Sequence, residues 1–147
     1  PFSWKTLSAL GAVRTTPTGH RLRWFLMLRP GTIRVPHLLT FLRALKRHCR
    51  RPVVLVWDRL PGHRSRAVGK FLTDNRKWLT IEWLPPYSPK LNPIELLWGH
   101  LDATTLANTP VDDLAILGRR ARRGVARVQA HPNVGRGFLA HTRLFTY

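Results

Sequence analysis

The chain contains only seven acidic residues, so each can be weighed as a carboxylate that could do chemistry. They are Asp58, Asp74, Glu82, Glu95, Asp102, Asp112 and Asp113. Asp58 directly follows the apolar run Val53–Trp57, and open α/β sheets bind ligands at the carboxyl ends of their strands. Glu95 follows a proline-rich segment and Pro93, which places it in the first turn of a helix. These two carboxylates are therefore the candidate functional residues.

The chemistry that Asp58 and Glu95 suit is the binding of hard divalent cations. Mg²⁺ prefers oxygen ligands, and two metal ions about 3.5–4 Å apart can stabilise both the attacking and the leaving oxygen of an in-line displacement. Each acid also has a purely structural interpretation. Asp58 can cap the turn after its strand, and an acid near a helix N-terminus interacts favourably with the helix macrodipole. If both residues bind metal, we expect them to face one cleft.

The first elements that must position these acids are a hairpin and a helix. Residues 7–13 and 21–28 are predicted to form two antiparallel strands, because Pro17 and Gly19 supply turn geometry between them. Apolar residues at helical spacing from Leu38 to Leu45 predict an amphipathic helix that the chain enters through Pro36.

The next elements read as a βαβ unit. Val53–Trp57 predicts a central strand buried on both faces, followed by a helix over residues 63–75 and a parallel strand over residues 79–84. Asn92 is expected to cap a helix that begins at Pro93. A basic helix is predicted over residues 111–129, whereas the last stretch, 131–147, has only a weak pattern. The fold class is therefore mixed α/β.

Charge is the strongest global signal in the sequence. The chain has 25 Lys and Arg residues against seven acids, which gives a formal net charge of +18. Arginine grips phosphate oxygens in pairs, so this balance favours a nucleic acid as partner. The alternative is that the genome favours arginine codons and that these arginines lie on an ordinary protein surface without a specific partner.

Length and composition restrict the remaining possibilities. A chain of 147 residues is long enough for one domain with its own core. No apolar stretch approaches the roughly 18 residues of a membrane span, so we expect a soluble protein without a membrane partner. The single Cys49 excludes an internal disulfide and fits a reducing cytosol. Pro1 looks like an internal point of a longer chain.

Two segments together carry a family resemblance. They are VLVWD, residues 54–58, with His63 following, and LPPYSPKLNPIELLW, residues 84–98. This combination resembles the catalytic domain of IS630/Tc1/mariner-type transposases, which are DDE superfamily endonucleases. In that family an apolar strand ends on the second catalytic Asp, and a proline-rich segment carries the third acid. The resemblance places these acids at Asp58 and Glu95 and extends more loosely over about residues 7–108.

The resemblance implies an RNase H-like mixed sheet flanked by helices, and Mg²⁺ or Mn²⁺ bound by Asp58 and Glu95. It also implies a catalytic role for His63, although a lone His at a helix start is more often a cap or a surface residue. The family's first catalytic Asp lies on a strand before the hairpin, and no acid precedes Asp58 here. We therefore expect a fold that lacks the first strand. Arg59 also departs from the Asn that many relatives carry.

These observations favour a truncated DDE endonuclease domain over residues 1–108, with residues 109–147 as a basic helical extension of it. The expected function is metal-dependent DNA cleavage and strand transfer in the intact protein, with the chain as given inactive. The alternative is a non-catalytic, arginine-rich nucleic-acid-binding remnant. A ribosomal type of RNA-binding protein would explain the charge but not the two acidic segments. The expected partners are transposon ends and target DNA, with a possible homo-oligomer, in the bacterial cytoplasm at the nucleoid.

Overall fold

The computed structural model describes residues 6–109 and 113–143, in which strands and helices are mixed. The hairpin strands are followed by a βαβ arrangement and then by three helices. In chain order, the elements are β1 (Leu7–Thr15), β2 (Leu22–Pro30), α1 (Val35–His48), β3 (Val53–Trp57), α2 (Arg66–Asp74), β4 (Leu79–Trp83), α3 (Pro93–Ala103), α4 (Leu114–Ala130) and α5 (Pro132–Thr142). The mixed α/β class predicted from the sequence is confirmed.

The contacts divide the chain into two compact units. The hairpin unit consists of the described residues of 1–32 and 89–147, and the βαβ unit consists of residues 33–88. α4 packs against β1, β2 and α3 within the hairpin unit. The boundary expected between residues 108 and 109 stays a prediction.

The hairpin forms as the sequence predicts. β1 and β2 are antiparallel, with a register that runs from Leu7 opposite Pro30 to Thr15 opposite Leu22. Gly19 has a φ of +67°, and its N–H donates to the Thr16 carbonyl at 2.9 Å. A positive φ favours glycine, which explains why the chain turns here. β1 extends beyond its predicted end to Thr15, next to this turn, and β2 extends beyond its predicted end to Pro30, which pairs with Leu7 at the far end of the hairpin.

The core of the hairpin unit is built from β2, α3 and α4. Its buried residues are Trp24, Leu97, Leu101, Val125 and Val128. Close packing of α4 depends on Gly124, where an added Cβ would collide with the Leu101 side chain and lie 2.9 Å from the Thr105 hydroxyl. A helix backbone can approach a neighbour this closely only where a side chain is missing.

Two helices at the end of the chain differ from the sequence prediction. α4 begins at Leu114, where Asp113 Oδ1 accepts the N–H groups of Ala115 and Ile116 at 2.9 and 3.0 Å. The predicted start at residue 111 lies outside the described residues. The weak pattern assigned to residues 131–147 missed α5, in which Leu139 is fully buried. Gly135 and Gly137 dilute the apolar periodicity of α5, so packing rather than propensity stabilises it.

The βαβ unit has the predicted topology. β3 and β4 are parallel, and their register runs from Val53 opposite Leu79 to Trp57 opposite Trp83. The Trp78 indole donates to the Cys49 carbonyl at 2.6 Å, which connects the end of α1 to the start of β4. None of the helices in the described residues has the length and apolar character needed to cross a bilayer.

The prediction that β3 is a central strand buried on both faces is wrong. Val54 and Val56 are 63% and 40% exposed, whereas the other three residues of β3 are half-buried. Within the described residues β3 pairs with β4 only, so it is an edge strand. Valine favours strands because its branched side chain fits a pleated surface, and this preference does not require burial. The run of valines therefore predicted the strand correctly and its burial incorrectly.

Candidate functional site

Asp58 lies directly after β3, where its carboxylate organises the following turn. Oδ1 accepts the Leu60 N–H at 3.2 Å, and the side chain is 32% exposed. The capping interpretation of Asp58 therefore holds. It is compatible with metal binding, because within the part of the chain that the structure describes the protein hydrogen bonds reach only Oδ1. Oδ2 keeps its lone pairs for another ligand.

His63 is the closest partner of the Asp58 side chain. Its Nδ1 lies 2.5 Å from Asp58 Oδ1 and 3.3 Å from the Asp58 carbonyl oxygen. Because this nitrogen faces two acceptors, it carries a proton and donates to Asp58. His63 is only 8% exposed, so it is not the surface residue of the alternative interpretation. The imidazole thus fixes the direction of the carboxylate.

Aromatic stacking holds His63 in place. The His63 ring stacks on Trp57 with a centroid distance of 4.0 Å, and Trp57 stacks on Trp83 at 6.0 Å with an interplanar angle of 5°. The two tryptophans are register partners at the ends of β3 and β4. Sequence reasoning missed their role, although an aromatic residue at the end of both strands was a usable signal.

The segment that carries His63 differs from the predicted helix over residues 63–75. Pro61–Arg64 forms a short 3-10 helix, and α2 starts only at Arg66. Ser65 has an extended backbone, and its hydroxyl accepts the Val68 N–H at 3.4 Å, as expected of a helix N-cap. This break at Ser65 separates the short helix from α2, and His63 lies beside Asp58.

Arg59 connects the ends of the two strands of this unit. Its Nε donates to the Leu84 carbonyl at 3.0 Å, and the Leu84 N–H donates to the Trp57 carbonyl at 2.8 Å. Leu84 is buried, so the chain is anchored before it enters the proline-rich segment. The departure from the family pattern at Arg59 therefore has a structural role in this chain.

Glu95 lies in the first turn of α3, as predicted. Pro93 begins this helix, and Asn92 Oδ1 accepts the Ile94 N–H at 3.1 Å. Glu95 is exposed, whereas Leu97 and Leu101 anchor the same helix with only 1% exposure each. The carboxylate thus projects from a helix that is fixed by its cap and its buried face.

Tyr87 does not brace the proline-rich segment. The Tyr87 side chain is fully exposed, and its backbone has a φ of +55°. Asn92, in contrast, holds the end of this segment through the cap of α3 that the sequence predicts. The exposed ring of Tyr87 has room for contact with a ligand.

The structure brings Asp58 and His63 together, and both lie in the βαβ unit, whereas Glu95 lies in the hairpin unit. The common cleft of Asp58 and Glu95 therefore stays a prediction. Among residues 6–109 and 113–143, no group of three or more His, Cys, Asp or Glu side chains is placed to hold a metal ion. The donor chemistry of the two carboxylates nevertheless fits a hard divalent cation.

The proline-rich segment and the Asp58 segment match a known family. The family model described as DDE superfamily endonuclease matches residues 2–117, which is most of the chain. This chain belongs to the DDE superfamily endonuclease family. The resemblance found in the sequence is thus confirmed at the level of the family. No match to this chain was found among curated proteins.

The fold of this family member is similar to that of a mariner transposase catalytic domain. The crystal structure of the catalytic domain of Mos1 mariner transposase has a TM-score of 0.53 and 18% identity, over 97% of this chain and 82% of that one.

Two other solved structures are similar to this family member. The Mos1 mariner paired end complex with Mn has a TM-score of 0.48 and 22% identity, over 92% of this chain and 44% of that one. The Mos1 transposase catalytic domain with Raltegravir and Mg has a TM-score of 0.49 and 19% identity, over 97% of this chain and 84% of that one.

Proposed function

We propose that this endonuclease acts in transposition, with Asp58 and Glu95 as ligands of Mg²⁺ or Mn²⁺. The observation that carries the proposal is the family match over residues 2–117, which includes both acids. A bound metal would polarise the phosphodiester and stabilise negative charge on its oxygens. The proposed reaction is cleavage of DNA at the transposon ends, followed by strand transfer to target DNA.

The residues around Asp58 prepare its carboxylate for this role. The His63 imidazole and the Leu60 N–H both donate to Oδ1, so we propose Oδ2 as the oxygen that binds the metal. Partners that orient a metal ligand also restrict its motion. We propose His63 as a positioning residue, because it acts through Asp58.

The residues around Glu95 act through the backbone. The Asn92 cap and the buried Leu97 hold the first turn of α3. The backbone of Glu95 is therefore fixed in position. We propose that Glu95 and Asp58 face the same cleft and contact the same ion. No acid precedes Asp58 in the sequence, so we also propose that residues 1–147 alone cleave DNA poorly and that a carboxylate outside them completes the site.

DNA, the proposed substrate, is negatively charged, and the chain has a large positive net charge. A net charge of +18 favours duplex DNA with a strong dependence of affinity on salt. We propose that the protein works at the DNA of the bacterial nucleoid, in the cytoplasm, as a homo-oligomer that holds two transposon ends. The same charge favours a second candidate function, in which the chain binds DNA without cutting it.

A plasmid-nicking assay separates the two functions. The intact protein should nick supercoiled DNA in Mg²⁺ or Mn²⁺, and Asp58→Asn or Glu95→Gln should reduce the rate by about 100-fold to 1,000-fold, because each removes charge stabilisation at the reacting phosphate. DNA binding in EDTA should stay nearly unchanged. Residues 1–147 alone serve as a further arm, with weak nicking expected.

Asp74→Asn is the matched control for this assay. Asp74 is an exposed acid of the βαβ unit that pairs with Lys70 at 2.8 Å, so its loss should leave nicking intact. Equal nicking by the intact protein and its Asp58→Asn variant would contradict the proposed role of Asp58. DNA binding without any nicking by the intact protein would leave only the binding function.

A further inference from the structure

Helix α4 has two faces of opposite character. Its buried face consists of small and apolar residues, namely Gly118, Ala121, Gly124, Val125 and Val128. Its exposed face carries five arginines, namely Arg119, Arg120, Arg122, Arg123 and Arg127. No acidic residue occurs between Leu114 and Ala130, so the exposed face has one sign of charge only. We call these five residues the arginine face.

The arginine face is held in a fixed orientation. Gly124 lies against Leu101 and Thr105, where an added Cβ would not fit. On the far side of the helix, the Gln129 amide accepts the Trp24 N–H at 2.9 Å and donates to the Leu22 carbonyl at 3.0 Å. These contacts prevent rotation of α4 about its axis, so the arginines cannot turn inward.

The arginine face is electrostatically unfavourable by itself. Arg119, Arg123 and Arg127 follow one another at i, i+4 spacing, where like charges destabilise a helix. The ion pairs of His63 with Asp58 and of Lys70 with Asp74 do not include α4. Arg120 donates to the Thr109 hydroxyl at 2.8 Å, which leaves its positive charge without compensation. A bound polyanion would relieve the repulsion between the positive charges of this face.

We propose that the arginine face of α4 binds the phosphate backbone of duplex DNA, at a surface formed without Asp58 or Glu95. Successive arginines of the stripe 119, 123 and 127 are separated by about 6 Å along the helix axis, so their side chains can reach several phosphates of one strand. Identifying DNA as the polyanion rests on the proposed function, whereas the surface itself does not.

The contact is independent of base sequence. Base edges are read by arginine, lysine and amide side chains, and phosphate contacts carry no sequence information directly. Gln129 is the amide residue of α4, and both ends of its amide are occupied by β2. The proposed contact uses the guanidinium groups of this face on phosphates, so we expect it to anchor DNA of any base sequence.

The test compares two triple variants of residues 1–147 that lose the same charge. One is Arg119→Gln/Arg123→Gln/Arg127→Gln, and the control is Arg43→Gln/Arg47→Gln/Arg50→Gln, whose arginines are exposed on and just after α1. Each changes the net charge from +18 to +15 by removing three positive charges. Binding of fluorescent duplex DNA is measured by anisotropy against KCl concentration in EDTA.

The α4 variant should lose about 10-fold or more in affinity, and the slope of log K against log salt should fall by about 2–3, since each phosphate contact contributes about 0.9. The control should change the slope by less than about 1. Two duplexes of unrelated sequence should show the same loss. Equal effects of both triple variants would overturn the proposal, because they would indicate net charge alone.

Two further arms keep the result interpretable. Arg119→Lys/Arg123→Lys/Arg127→Lys keeps the charge and should retain most of the salt slope. If both α4 variants lose affinity and show altered circular dichroism, the loss comes from a folding defect. That result would overturn the assignment to phosphate contacts. Tighter binding of duplex RNA than of duplex DNA would overturn the assignment of DNA. Because EDTA removes divalent metal, Asp58→Asn should bind normally here, and failure of cleavage leaves this inference standing.

Discussion

The two compact units hold their candidate acids by different means. In the βαβ unit, Asp58 is restrained by direct contacts to its own carboxylate, chiefly from His63. In the hairpin unit, Glu95 is exposed, and its helix is restrained instead by the Asn92 cap and by Leu97 in the core. One acid is therefore oriented through its side chain and the other through its backbone.

This difference predicts different sensitivities to mutation. The position of Glu95 depends on the packing of α3 against α4, so it should respond to changes in the core of the hairpin unit. The direction of the Asp58 carboxylate depends on the His63 imidazole, on the Leu60 N–H and on the Trp57 ring that stacks on the imidazole. The Asp58 site should therefore respond to changes that leave global stability nearly intact.

The largest expected effect is on the packing of the hairpin unit. Gly124→Val should lower the free energy of unfolding by about 3 kcal/mol, because its side chain would overlap Leu101 and Thr105 in a filled core. Urea denaturation followed by circular dichroism measures this change. The matched control is Gly69→Val in α2, where an added Cβ meets nothing within 4 Å, and its effect should stay within about 0.5 kcal/mol. Similar losses at both glycines would show that the two helices do not differ in packing.

A smaller effect is expected from two substitutions of His63 that separate its stacking on Trp57 from its hydrogen bond to Asp58. His63→Phe keeps a ring to stack on Trp57 but loses the donor to Asp58, and it should weaken Mn²⁺ binding by about 10-fold, as loss of an orienting partner commonly does. His63→Asn keeps a donor near the position of Nδ1 and should bind Mn²⁺ within about threefold of the parent chain. Calorimetric titration of the intact protein gives both affinities. If the two variants rank in the opposite order, stacking rather than hydrogen bonding positions Asp58.

Local signals were sufficient for much of the fold and for one acid. Pro93 and Asn92 act within a single turn, so the start of α3 and the place of Glu95 follow directly from the sequence. The hairpin follows in the same way from Gly19. The family motif placed Asp58 at the end of a strand, which the structure confirms.

Contacts between distant segments could not be read in advance. Gln129 bonds to β2 across more than 100 residues, and no local pattern encodes that pairing. The burial of His63 depends on Trp57, on the break at Ser65 and on the carboxylate of Asp58 together. The exposure of Val54 and Val56 depends on how many strands join β3, which composition does not report. α5 was missed because its stability comes from packing.

The central claim is that Asp58 and Glu95 hold one divalent ion, and metal-directed cleavage of the protein chain tests it most directly. Fe²⁺ bound in place of Mg²⁺ is treated with ascorbate and peroxide, and mass spectrometry locates the backbone breaks. The account predicts breaks near both residue 58 and residue 95, and it predicts that Asp58→Asn suppresses both sets, as does Glu95→Gln, while Asp74→Asn suppresses neither. If Asp58→Asn removes only the breaks near residue 58 and leaves those near residue 95, the two acids do not share an ion and the account is contradicted.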